Sequence, residues 1–106
     1  MEDRASIAFA LDGLGLVSAA QGKADKAHQF FRSSITLLNE IGEQGNLAQT
    51  LTHYGYALLK MGELENAHQH FIDALTVASR AEITPILLEA LLGEAEVRME
   101  EQDIED

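Results

Sequence analysis

Ala27-His28-Gln29-Phe30-Phe31 and, forty residues later, Ala67-His68-Gln69-His70-Phe71 agree at four of five places. The agreement spreads both ways at the same offset. Ala8 recurs as Ala48, Leu11 as Leu51, Gly15 as Gly55, Gly22 as Gly62 and Thr36 as Thr76. That makes nine identities over residues 8–38, where ordinary residue usage gives about two by chance. A second step of forty carries Leu47, Leu51 and Glu65 onto Leu87, Leu91 and Glu105. The chain therefore reads as a repeat: two copies over about 5–43 and 45–83, and a partial third over 84–106.

The copies are helical. Alanine and leucine supply fifteen residues each and proline only one, a composition that favours helix throughout. No stretch alternates with period two. The predicted fold class is all-α, an α-solenoid of antiparallel hairpins with about five helices. In the first copy helix A spans 5–21 and helix B 24–41; in the second they span 45–61 and 64–81. Gly22 and Gly62 stand at the corners, where glycine accepts the left-handed conformation that closes a helix. Thr84 caps a third helix A and Pro85 fits its first turn. That helix is expected to run to Glu101, with Gln102 at the corner. Its stripe Leu88, Leu92, Ala95 and Met99 is expected to pack back on the second copy. Ile86, Leu87 and Leu91, with Val97 and Ile104, then stand on other faces and form the predicted self-association surface of a homodimer.

This pattern resembles the tetratricopeptide repeat, in which small and large residues alternate at fixed places on two antiparallel helices. The resemblance puts the helix A places of the first copy on Leu11, Leu14, Gly15 and Ser18, and its helix B places on Ala27, Phe31 and Ser34. In the second copy they fall on Leu51, Tyr54, Gly55 and Leu58, then Ala67, Phe71 and Ala74. Leucine replaces the family's usual tryptophan. Asn39 and Ser79 replace the proline that normally closes helix B, so helix B can run on and the repeat lengthens to forty. Long repeats of this kind are similar to those of bacterial signalling ATPases and LuxR-type regulators, and to kinesin light chain repeats. The resemblance implies a protein-interaction module that is a piece of a longer regulatory protein.

Charge and composition set further bounds. Seven basic against eighteen acidic residues leave a net charge of −11, of which residues 94–106 contribute −6. Nucleic acid and anionic membrane surfaces draw their affinity from lysine and arginine, so neither is an expected partner. The chain has no cysteine, hence no disulfide and no thiolate zinc site. No apolar run is long enough to span a bilayer, and the opening Met-Glu-Asp-Arg is no signal segment. The expected compartment is the cytoplasm.

The chemical inventory is thin. Asp12-Gly13-Leu14-Gly15 lies inside a helix without the lysine or strand of a phosphate loop. His68 and His70 stand on different faces of one helix, and His28 and His68 are a full repeat apart, so no metal site and no cofactor is expected. Ser18, Ser33 and Ser34 sit at places the repeat explains, and Glu94 and Glu96 read as a solvated helix face. With no nucleophile fixed beside a base, the chain does not read as an enzyme. What remains is a surface. Stacked hairpins line a concave side with their A helices. By the resemblance its groove places are Phe9, Asp12 and Leu16, then Gln49, Thr52, His53, Tyr56 and Leu59, then Glu89, Leu92 and Glu96. Tyr56 can stack and hydrogen-bond, which suits a contact residue. The family's basic clamp for a peptide carboxylate has no counterpart, since the matching places hold Asp12, Leu16 and His53. The expected ligand is a basic or amphipathic peptide or helix. The alternative reading is a structural or oligomerisation segment whose groove binds nothing.

Overall fold

The computed structural model describes residues 3–105, with side chains as far as Gln102. Five helices follow one another: α1 Arg4–Ala20, α2 Ala24–Ile41, α3 Gln44–Lys60, α4 Leu64–Arg80 and α5 Thr84–Glu105. The described residues are all-helical, and α1/α2 and α3/α4 form the two expected hairpins, with α5 laid on the second. Asp3 starts the stack. Its carboxylate accepts the amide of Ala5 at 3.0 Å and the hydroxyl of Ser6 at 2.8 Å, which satisfies amides that have no partner within the helix.

The corners recur every twenty residues. Gly22, Gly42 and Gly62 hold φ near +75°, +74° and +80°, and Glu82 holds +56° at the fourth. At each corner the next amide reaches back five residues: Lys23 to Ser18, Glu43 to Leu38, Glu63 to Leu58 and Ile83 to Ala78, at 2.8–3.2 Å. This is the Schellman closure of a helix end. The corner expected at Gln102 does not form. Glutamine is a good helix former with no preference for the left-handed region, and α5 continues to Glu105.

Packing follows the small and large residues of the repeat. A Cβ at Gly15 would lie 2.9 Å from the Phe31 ring, and one at Gly55 would lie 2.8 Å from Phe71. Both distances are too short for real atoms, so glycine here lets α1 and α3 close on the aromatic ring of their own hairpin partner. Phe31 and Phe71 are fully buried, as are Ala27 and Ala67 four residues before them.

One middle helix touches all the others: α3 contacts α1, α2, α4 and α5, whereas α2 and α4 do not meet. The A helices are thus the inner, closely spaced row, and the B helices splay on the outer side. Two faces of α3 do different work. Tyr54 turns to the first hairpin, stacked on Phe31 with ring centroids 4.8 Å apart. Leu47, Thr50 and Ala57 share that face by helical spacing and are all buried. Gly55 turns to α4, and Ala48, Leu51 and Leu58 share its face, also buried.

The packing of α5 differs from the sequence expectation. The stripe Leu88, Leu92, Ala95 and Met99 faces solvent. The face laid on the second hairpin is Ala90, Gly93, Glu94 and Val97, all buried, with Gly93 pressed even closer to Phe71 than Gly55 is. Ile86 and Leu87 are half-buried, and Val97, expected on the same surface, has no exposed surface and belongs to the core instead. Both stripes obey helical spacing, and the smaller residues win the contact because only they admit the Phe71 ring. Leu91 is exposed as expected, and the side chain of Ile104 lies outside the described residues.

Candidate interaction surface

The inner row of A helices presents the residues expected at the groove, in three different conditions. Phe9 and Leu16 on α1, and Glu89, Leu92 and Glu96 on α5, are exposed. Phe9 is the most exposed large apolar side chain of the described residues, at 73%. Gln49, His53, Tyr56 and Leu59 on α3 are half-buried. Asp12 and Thr52 are buried.

The buried pair is a correction. Thr52 has no exposed surface and returns its hydroxyl to the carbonyl of Ala48 at 2.8 Å. It is flanked on both sides because α3 is the middle helix, so it cannot touch a ligand. Asp12 is committed to His53, whose Nδ1–H donates to its Oδ2 at 2.8 Å. That hydrogen bond raises the pKa of His53 above its ordinary value, against the lowering effect of burial. The other oxygen of Asp12 is buried without a hydrogen bond.

Tyr56 has structural duties too. Its ring meets Phe71 edge-on at 5.0 Å, and its hydroxyl donates to the carbonyl of Glu89 at 3.0 Å. It thus ties α3 to α5 while keeping part of the ring open. Leu16, Ala19 and Ala20 face Tyr56, Ala57 and Lys60 across a notch of about 80 Å³ between α1 and α3. The notch is apolar within, with an ammonium group at its edge, and Leu16 and Tyr56 stand on opposite walls.

Histidines occupy the seams between hairpins, a role not read from the sequence. His28 contacts the Tyr54 hydroxyl through Nδ1 and Glu63 through Nε2, the latter at 3.0 Å. A carboxylate can only accept, so Nε2–H donates to Glu63, which leaves Nδ1 to share a hydrogen bond with the Tyr54 hydroxyl. Burial raises the pKa of Tyr54, keeping it a donor. Forty residues on, His68 meets Glu94 at 2.5 Å. Glu94 is buried rather than part of a solvated face, and neither oxygen has a hydrogen bond of good geometry. The repeat offset itself was the available signal: His28 maps to His68, and Tyr54 maps to Glu94.

Ser34, a candidate hydroxyl, is buried and donates to the carbonyl of Ala8 at 2.8 Å. Among the described residues no three histidine or acidic side chains converge as a metal site, and no helix is long and apolar enough to cross a membrane. No family model, no curated protein and no solved structure matches the chain.

Proposed function

We propose that the chain is a protein-interaction module of tetratricopeptide-repeat type, which takes a basic or amphipathic helix or extended peptide along its inner row of A helices. The observation that carries this is the exposure of Phe9 and Leu16 on that row, beside the apolar notch closed by Tyr56. Large apolar groups left open on an inner surface mark a site of association. Glu89 and Glu96 stand exposed at the α5 end, and with the net charge of −11 they favour a basic ligand. The proposal includes no catalytic step, no metal or other cofactor, and no nucleic-acid or membrane partner. It sets the module in the cytoplasm, within a signalling or regulatory protein, on its resemblance to the long repeats of such proteins.

The test is binding of an array of basic amphipathic peptides, followed by calorimetry on the tightest. Phe9→Ala and Leu16→Ala are expected to weaken binding by about 1–3 kcal/mol each if they anchor the ligand, with the helical circular dichroism unchanged. Affinity that survives both changes removes the inner row from the account.

A further inference from the structure

Charge is spread unevenly along the inner row. The repeat register puts Phe9, Leu16 and Ala20 of α1 level with Gln49, Tyr56 and Lys60 of α3, and these with Glu89, Glu96 and Glu100 of α5. On α1 the three places are apolar, and the acid of that helix, Asp12, is buried against His53. On α5 all three are exposed carboxylates, and among the described residues none of them is in an ion pair. Arg98 does not offset them on this side, since it lines a cleft with Glu65 and His68 toward α4. Between the two ends sits the notch of about 80 Å³ with Leu16 and Tyr56 as walls and Lys60 at its edge. Tyr56 joins that notch to the acidic end. Its hydroxyl donates to the carbonyl of Glu89. Burial raises the pKa of the same hydroxyl, and the charges of Glu96 and Glu89 stand near enough to add to the effect.

We propose that the ligand of this row is an extended segment of another protein that sets one aliphatic side chain in the notch and a basic side chain, about four residues along, on the carboxylates of α5. It rests on the inner row as the binding surface and adds the order of the ligand's residues. Size selects the aliphatic group. A cavity of about 150 Å³ admits benzene. The notch has about half that volume, so it takes leucine, isoleucine or valine and turns away an aromatic ring. Charge places the basic group. Lys60 at the edge of the notch repels a cation there, while one helix further on Glu89 and Glu96 attract it. Leu92 and Met99 stand exposed between the acids of α5. The methylene stem of an arginine or lysine lies along apolar groups of that kind with its head on a carboxylate. The spacing follows from the helices. α3 packs against both α1 and α5, and neighbouring helix axes lie about 8–10 Å apart. The step from the notch to α5 is thus about 12–15 Å, which an extended chain covers in about four residues.

The probes are blocked serine–glycine peptides carrying one leucine and one arginine, four places apart in either chain order, and a second set with the two adjacent. NMR titration of the labelled protein reads Kd into the millimolar range and shows which helices respond. One order of the four-place peptide should shift the notch and α5 together. Replacing its arginine by glutamine should weaken binding about two- to fivefold, an effect that shrinks with salt. Replacing its leucine by alanine should weaken binding about tenfold. The adjacent set should show the leucine effect alone. Glu96→Gln with Glu89→Gln should remove the arginine effect and keep the leucine effect. Leu16→Ala should do the reverse, as should Ala20→Phe, which fills the notch from its exposed rim. The proposal is overturned by an arginine effect that survives the loss of both carboxylates, by an adjacent set that responds to arginine as strongly, or by a phenylalanine probe that binds as tightly as the leucine one. If Phe9→Ala and Leu16→Ala still weaken binding in those cases, the inner row stands as the binding surface and only the order of the ligand's residues falls. Silence from every probe up to millimolar concentration overturns it as well.

Discussion

The two seams of the stack are built on one plan with different materials. At the first, Tyr54 lies flat on Phe31 and its hydroxyl enters a chain through His28 to Glu63. At the second, forty residues on, the tyrosine is replaced by Glu94, buried beside His68 with no well-formed hydrogen bond. The first seam buries a large aromatic surface and satisfies its polar end. The second buries a carboxylate, which is costly unless paired and hydrogen-bonded, and its apolar contact comes from Ala90, Val97 and the close approach of Gly93 to Phe71. Repeat symmetry conserves the position of a contact, while its energy depends on the residue that fills it. The two joints thus differ in material: an aromatic stack with a satisfied polar end at the first, a buried carboxylate beside a close helix approach at the second.

The largest test removes the aromatic of the first seam. Tyr54→Ala empties a site that is 2% exposed and should cost about 3–5 kcal/mol, read by urea or thermal unfolding. Next comes the glycine of the second seam. Gly93→Ala drives a methyl into Phe71 and should destabilise by about 1–3 kcal/mol. The same change at Gly13, where a Cβ would meet nothing within 4 Å, should stabilise by about 0.5–1 kcal/mol as an ordinary helix substitution. Equal effects at the two glycines would contradict the close approach. Third, Glu94→Gln keeps the shape and replaces a buried carboxyl group that lacks a hydrogen bond by a neutral amide, and should gain about 1 kcal/mol. A loss of that size would show that the contact with His68 stabilises the second seam.

The smallest effect concerns pH. Asp12 raises the pKa of His53 above the ordinary 6.5. The stabilisation from that pair is complete below pH 6.5 and is lost as pH rises through the higher folded value. The melting temperature of the wild type should thus fall more between pH 6.5 and 8 than that of Asp12→Asn. Parallel curves would show that the pair does not bear on folding.

The hairpins were legible because their signals are local: a glycine at 22 and 62, a small residue facing an aromatic at 27/31 and 67/71. The face of α5 was not. Leu88-Leu92-Ala95-Met99 and Ala90-Gly93-Glu94-Val97 fit a helix equally well, and hydrophobicity favours the wrong one. The choice is made by the ring of Phe71, which needs small neighbours on both sides. Thr52 misled for a related reason, since a groove place on a middle helix can be covered by helices on either side. Glu94 was hidden by its type, because an acid in an acidic helix gives no sign of burial. The seam roles of His28 and His68 needed the partner helix to be in place.

The inner A helices touch along their row, while the outer α2 and α4 do not meet. A stack built in this way has a stiff rail on one side and a row of separate ribs on the other. Bending it so that the ribs fan apart or draw together disturbs no contact between them, and the strain falls on the seams alone. The molecule, 54 Å in its longest dimension, is in that sense a leaf spring clamped along its inner edge. Its curvature is set at two joints, one lined by Tyr54 on Phe31 and the other by Glu94 beside His68.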